Sequence, residues 1–526
     1  MKDIVTPTPA KKRSSLLGTV ERLGNLLPHP VMLFASMWAI VLVGSSLAAA
    51  LGINAADPRA STSGATIAAV DLLSADRIVL LLTSLVGNFT GFAPLGTVLV
   101  SLLGVGVAER SGLISAVVRK TVFAAPQRTV TYAVVFAAVI SNIAGELGYV
   151  VLIPLAATVF QSLGRHPLAG IAAAFAGVSG GYSANLLLGT ADPLLAGITQ
   201  TSARLIDPTY AVSATANWYF MAASTVMITV LGALITERIV EPRLGVYRPD
   251  ETGAQPGRDV AATMPTQLSP RENRALLHAG CVMLAGVVLL AFAVMWPGSP
   301  LRDDLGALGP KAPLYGAVVA LIFLFFLLPG IVYGVTTRTI RSDRDVIDAM
   351  SATMSSMGTY IVLVFFAAQF IACFGQSQLG LIVAVTGADL LQAVDLPAPA
   401  LFFCFIAICA LANLAVGSAS AQWALTAPVF VPMLMLLGFS PEITQAAYRI
   451  GDSVTNLVTP MMSYFGLVVA VASRYRKNIG VGTLMSTMLP YSALFLVAWS
   501  TMFCVWVFML EWPVGPGAPL YYPGAN

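Results

Sequence analysis

Five ionisable side chains stand inside long apolar runs of this 526-residue chain: Glu146, Asp192, Asp389, Arg449 and Asp452. A charge at the bilayer centre costs at least about 2.5–3.5 kcal/mol on insertion scales, so each is a candidate for chemistry. Arg449 and Asp452 are three residues apart on one helix face and could form a structural ion pair. They could instead divide a transporter's work, the arginine binding a carboxylate while the aspartate takes a proton or cation. Asp192 precedes Pro193 and could be an N-cap with proline at the first helical position. Glu146 could cap backbone amides at a hairpin tip, and Asp389 lies near an interface where water reaches it. Asn142, Asn185, Asn413 and Asn456 recur at broken stretches. Their carbonyl oxygens suit Na⁺ but also satisfy loose backbone amides. Trp423 follows a polar break and could line a site or join an aromatic belt. The run from Ser418 to Ala421, with Ser420 in it, could offer hydroxyls or simply pack helices closely.

The polar breaks fall at 141–149, 179–193, 413–423 and 449–463, and the elements that hold them follow from composition. Apolar residues make up 57% of the chain and charged ones 10%; soluble domains carry about 25% charge. With a mean hydropathy of +0.82, the chain reads as an all-α polytopic membrane protein. A net charge of +3 without a basic stripe argues against a nucleic-acid partner. Five scattered cysteines and three separated histidines offer no disulfide framework, zinc set or HExxH site. No nucleophile–base pairing is found either, so the chain does not read as an enzyme.

At about 20 apolar residues per span, nine spans are expected near 31–51, 78–108, 167–197, 217–237, 275–296, 314–334, 357–376, 442–472 and 482–510. The first reads as uncleaved despite Ala48-Ala49-Ala50 after it, because some thirty residues precede it. Residues 129–163 and 398–439 are too long for one helix and broken in the middle, which suits re-entrant hairpins. Residues 377–397 read as an interfacial continuation of the preceding span. With the N-terminus inside, this layout puts 22 of the 28 Lys and Arg residues on the cytoplasmic side, as the positive-inside rule expects.

The two halves echo each other. Ser141-Asn142 leads to Pro154 and Pro167; Ala412-Asn413 leads to Pro428 and Pro441, at an offset of 271–274 residues. In this topology one hairpin opens from inside and the other from outside, so the repeat is inverted. Inverted repeats with broken helices point to a secondary transporter with its site near the midplane, because freed backbone groups are tolerated only where buried or wet. A passive channel would explain the breaks but not intramembrane aspartate and arginine within an inverted repeat.

The expected organisation is a cytoplasmic segment 1–30, a first span and outer loop 31–77, a first repeat 78–237 and a cytoplasmic connector with two scaffold spans 238–356. A second repeat 357–510 and a periplasmic tail 511–526 follow. The loop 238–274, rich in Pro, Gly and mixed charge, reads as a flexible connector.

Several strings resemble the p-aminobenzoyl-glutamate transporter (AbgT) family: Thr19 to Asn25, Asn88 to Gly96, Gly164 to Gly170, Gly417 to Trp423 and Tyr448 to Ser453. The resemblance runs from about residue 16 to the C-terminus and looks closest to the MtrF-type branch of drug exporters. It implies a homodimeric, multi-pass protein of the bacterial inner membrane, with nine spans and two hairpins. The family is linked to uptake of p-aminobenzoyl-glutamate and to export of sulfonamide antimetabolites. Its functional positions fall on Asp192, Asn413, Ser420, Trp423, Pro441, Arg449 and Asp452. The expectation is therefore a proton-driven antiporter of sulfonamides or aminobenzoyl-glutamate-type anions, with membrane lipid around it and no cofactor beyond the coupling ion. Asp452 and Asp192 would exchange protons, Arg449 would bind the substrate's acidic group and Trp423 would stack on its ring. The alternative is a Na⁺-coupled importer, with Na⁺ near Asn185, Asn413 and Asn456. Asn142 and Glu146 are weaker candidates.

Overall fold

The computed structural model describes residues 30–59, 65–144, 148–247, 268–296, 298–303, 306–308, 312–462, 464–476, 479–522 and 524. Glu146, most of the segment 1–30 and most of the 238–274 connector lie outside them.

The architecture is the expected all-α polytopic one. Apart from a two-stranded ribbon, Asn54–Ala56 against Thr66–Ala68, the organised elements are helices. Nine among the described residues are long and apolar enough to cross a membrane. The chain begins with α1 (Pro30–Ala50), α2 (Ala75–Thr90) and α3 (Ala93–Ser111). The last two together make up one candidate span, Ala75–Ser111, where a single span near 78–108 was expected. Gly91 and Phe92 separate them, and Pro94 near the start of α3 has no N–H with which to continue α2.

After α4 (Leu113–Phe123), the first hairpin has arms α5 (Val130–Ser141) and α6 (Ile153–Ser162). A helix interrupted in mid-course follows. Its first half is α7 (Pro167–Phe175), extended by a π-turn to Gly180, and its second half is α8 (Ala191–Ala203). The scaffold comprises α9 (Trp218–Ile235), α10 (Pro270–Met295), α11 (Val318–Thr337), α12 (Asp343–Ser356) and α13 (Gly358–Gln376).

Residues 377–397 are not a continuation of α13. Gln378 takes a left-handed conformation, φ 61°, which ends that helix. A separate α14 (Leu379–Val394) then buries Leu381, Ile382, Val385 and Ala388. Their three- and four-residue spacing is a helix face of its own, and it packs on the second hairpin.

That hairpin has arms α15 (Ala398–Val416) and α16 (Ala419–Leu436). Gly417 turns between them at φ 59°, where an L side chain is strained. A second interrupted helix follows as α17 (Pro441–Thr455) and α18 (Phe465–Ser473), and α19 (Val481–Cys504) closes the fold. The nine long apolar helices include both arms of this hairpin. The expected spans 167–197 and 442–472 are each two shorter helices around a break. The count agrees with the expectation while its membership differs.

The corresponding helices α7 and α17 start alike. His166 Nδ1 accepts from Leu168 N at 3.2 Å with Pro167 next; Ser440 Oγ accepts from Ile443 N at 3.3 Å with Pro441 next. A cap followed by proline fixes a helix start, so the paired prolines mark equivalent points. Between the repeats α16 packs on α8, and α17 packs on α8 and on the π-turn after α7. The breaks therefore meet in the interior.

Candidate functional site

All fifteen residues of α17 are buried, yet it is the most polar helix in the interior. Glu442, Gln445, Arg449 and Asp452 recur every three or four residues along one face, so a buried polar stripe runs along the helix. The opposite approach is tight. A Cβ on Gly451 would stand 2.6 Å from Cys409 Cβ and from the Ile406 carbonyl oxygen of α15.

Arg449 Nη1 donates to Asp192 Oδ1 at 2.7 Å, and Nη2 donates to the Ser183 carbonyl at 3.2 Å. The ion pair read within α17, Arg449 with Asp452, is thus corrected. The guanidinium reaches across the repeats to the start of α8, where the break leaves a carboxylate and a free carbonyl facing it. The N-cap reading of Asp192 is corrected too. Thr190 precedes the first helical residue, Ala191, and Asp192 folds back so that Oδ2 accepts from Gly189 N at 2.6 Å. Arg449 Nε has no partner among the described residues.

Asp452 is fully buried; the Tyr448 hydroxyl stands beside its carboxylate but directs its proton to the Ala419 carbonyl, so neither carboxylate oxygen has a well-formed hydrogen bond among the described residues. Tyr448, Arg449 and Cys409 surround it. The Tyr448 hydroxyl donates to the Ala419 carbonyl at 2.5 Å, and the guanidinium is engaged with Asp192. One positive and two negative charges therefore lie together, and the ion pair consumes one of each. A buried carboxylate without full compensation costs several kcal/mol, so Asp452 is the place in this network where a further positive charge would be best accommodated.

The asparagines hold the breaks. Asn413 Nδ2 donates to the Asp452 carbonyl at 2.7 Å, and Thr455 Oγ1 and Asn456 Oδ1 lie 3.0 and 2.8 Å away. In the other repeat Asn142 Nδ2 donates to the Gly181 carbonyl at 3.2 Å. Both bonds step 39 residues forward, and the two donors are 271 residues apart. The pseudo-symmetry read in the sequence is thus a repeated hydrogen bond. The side-chain oxygens of Asn142, Asn185 and Asn413 have no partner among the described residues.

Trp423 is fully buried, stacked on Tyr448 with centroids 4.3 Å apart. Its Nε1 donates to Thr199 Oγ1 at 2.9 Å, so it belongs to the interior rather than an aromatic belt. Ser420 is half-buried in the first turn of α16, beside the left-handed Gly417. Pro441 sets the start of α17, away from the ion pair. Asp389 is exposed, and the other candidates do not include it.

Thr199, Gln445, Asn217 and Glu442 also enter this network and were not singled out in the sequence; Ser183 and Ser453, which meet through Ser183 N and Ser453 Oγ, lie in the expected polar breaks but were not among the candidates. The 442–445–449–452 stripe was the legible signal. Glu442 stood at the edge of an expected span, where a first-turn acid looks like ordinary helix chemistry.

Two surface cavities are lined by other residues. The larger, about 590 Å³, is lined by Arg59, Asp207, Met435, Leu436 and Tyr522, among others.

A sequence profile described as "AbgT putative transporter family" matches residues 15–522. The p-aminobenzoyl-glutamate transport protein of Escherichia coli K12 is 37% identical over 510 residues, covering 97% of this chain and 98% of that protein. Among solved structures, MtrF of Neisseria gonorrhoeae, described within a class of antimetabolite efflux pumps, superposes with a TM-score of 0.89 at 55% identity. It covers 96% of this chain and all of that one. The YdaH transporter of Alcanivorax borkumensis gives 0.86 at 46% identity, covering 93% of this chain and all of that one.

Proposed function

The chain belongs to the AbgT transporter family, and from that premise we propose that it is a secondary antiporter of the bacterial inner membrane that exports sulfonamide-type antimetabolites, or moves p-aminobenzoyl-glutamate-type anions, driven by the proton gradient. Its N-terminus is cytoplasmic, its C-terminus periplasmic, and it works as a homodimer. The higher identity to an efflux pump than to the Escherichia coli protein favours export.

The observation that carries the reading is the odd charge at Asp452. The Arg449–Asp192 pair neutralises itself, and the buried Asp452 carboxylate is left without a well-formed hydrogen bond among the described residues, the nearby Tyr448 hydroxyl being turned to the Ala419 carbonyl. A proton supplied from one side and released to the other would meet that need once per cycle. Arg449, with Nε unused, exchanges Asp192 for the substrate's acidic group, and the released Asp192 takes a proton. Trp423 stacks on the substrate's aromatic ring once Tyr448 yields its place. Ser420 offers a hydroxyl from the hairpin tip. Asn413 and Pro441 hold the geometry of α17 about its break.

Flux of labelled sulfamethazine in proteoliposomes, under a pH gradient and a Na⁺ gradient imposed separately, tests this. Flux that follows the pH gradient and disappears in Asp452→Ala supports the antiporter. Correctly inserted Asp192→Ala and Asp452→Ala proteins transporting at the wild-type rate would refute it.

A second reading is favoured by the unpartnered oxygens of Asn142, Asn185 and Asn413. Oxygen ligands of this kind suit a hard cation, and Na⁺ would then drive import of p-aminobenzoyl-glutamate. Uptake unchanged when K⁺ replaces Na⁺ removes this reading.

A further inference from the structure

A hydrogen-bonded ladder leads from Trp423 to the far end of α17. Trp423 Nε1 donates to Thr199 Oγ1, which lies 2.6 Å from Gln445 Oε1. Gln445 Nε2 donates to Asn217 Oδ1 at 2.7 Å, and Asn217 Nδ2 donates to the Glu442 carbonyl at 2.8 Å. Glu442 Oε2 then accepts from the Tyr210 hydroxyl at 2.9 Å. The Tyr210 ring lies 6.0 Å from that of Tyr522, which lines the 590 Å³ cavity.

Trp423, Thr199, Gln445, Asn217 and Glu442 are all buried, none more than 3% exposed. The polarity of the ladder is fixed at both ends. An indole N–H can only donate and a backbone carbonyl can only accept, so each amide between them has one allowed orientation. Such a chain has no slack, and its bonds polarise one another. It does not carry protons, because two of its links are amides and the turn at Glu442 passes through the backbone carbonyl. Thr199 Oγ1 also lies 2.8 Å from the Leu195 carbonyl of its own helix. Because Gln445 turns Oε1 toward it, the Thr199 hydroxyl proton is directed to that oxygen, with the Leu195 carbonyl as a second, shared acceptor, while its lone pair is held by the indole.

We propose that Thr199 and Gln445 are positioning residues that set the plane of the Trp423 indole for an aromatic substrate, and that Tyr210 and Glu442 anchor the far end of the ladder beside the cavity. This rests on the reading of Trp423 as a substrate-stacking residue. The ladder couples the two places: loosening the Tyr210 end frees the indole, and an indole displaced by substrate pulls on Tyr210.

The test is saturation flux of labelled sulfamethazine in proteoliposomes, with protein amount and monodispersity matched. Thr199→Val should raise KM about tenfold, the equivalent of one lost hydrogen bond, with kcat within about twofold, and Thr199→Ser should restore KM. Tyr210→Phe should raise KM in the wild-type background and leave it unchanged in Thr199→Val, because the ladder is already cut there. Two results would overturn the proposal while leaving the stacking reading intact: Trp423→Leu raises KM but Thr199→Val does not, or the Tyr210 and Thr199 effects simply add. Unchanged KM in Trp423→Leu overturns both.

Discussion

Arg449 and Asp192 are joined at 2.7 Å across 257 residues of sequence, between the two interrupted helices of different repeats. Both side chains are almost wholly shielded from solvent. Removing one partner of a buried pair leaves an uncompensated charge and costs about 3–5 kcal/mol, whereas removing both costs much less. Arg449→Ala should therefore lower the melting temperature of the purified protein clearly, and Arg449→Ala with Asp192→Asn should recover most of the loss. Equal melting temperatures for wild type and Arg449→Ala would show that the pair does not hold the repeats together.

Gly451 should tolerate no side chain. The backbone of α15 fills the space a Cβ would take, and Ile406 O cannot move without shifting that helix. Gly451→Ala should cost about 1–3 kcal/mol by overpacking, visible as a lower thermal midpoint. Gly466, with nothing within 4 Å of its Cβ position, is the control, and Gly466→Ala should leave the midpoint in place.

At the start of α7 a pH effect on stability is expected. His166 caps that helix as an acceptor, which requires the neutral ring. Burial, with Arg476 nearby, holds its pKa below the ordinary value near 6.5, and Glu241 opposes this only in part. The unfolded chain takes up the proton first as pH falls, so the stability given by the neutral cap is present above about 6.5 and fades as pH drops below it. Melting curves at pH 7.5 and 5.5 should converge in part for His166→Asn, which caps without titrating. An identical pH slope for wild type and variant would rule the imidazole out.

Most of the apolar helices, the two hairpins and the pairing of the halves were legible because each leaves a mark in composition: apolar length, polar breaks within long runs and paired prolines. Asn142 and Asn413 were legible for the same reason, since a polar residue in an apolar run stands out. Bond partners were not. Arg449 has Asp452 beside it on its helix but reaches Asp192, and only the packing of α17 on α8 determines that. Thr199 and Gln445 escaped notice because single hydroxyl or amide residues are ordinary in spans; their role depends on a neighbour 246 residues away.

Asn413 should matter more than its uncharged side chain implies. Its amide faces the Asp452 carbonyl, Thr455 Oγ1 and Asn456 Oδ1, so Asn413→Asp keeps the shape but removes the donor. The variant should insert normally and lose at least about tenfold in flux, in line with one or more buried acceptors left unpaired. Wild-type flux in Asn413→Asp would mean that the break after α17 does not depend on this amide.

Proton movement measured alongside substrate movement tests the central claim most directly. In proteoliposomes loaded with a pH-sensitive dye, adding sulfamethazine should drive protons through the wild-type protein. Asp452→Asn should show none, while still binding the drug through Arg449 and Trp423. Substrate-dependent proton flux at the wild-type rate in Asp452→Asn, or drug transport by wild type without proton movement, would contradict the assignment of Asp452 as the coupling carboxylate.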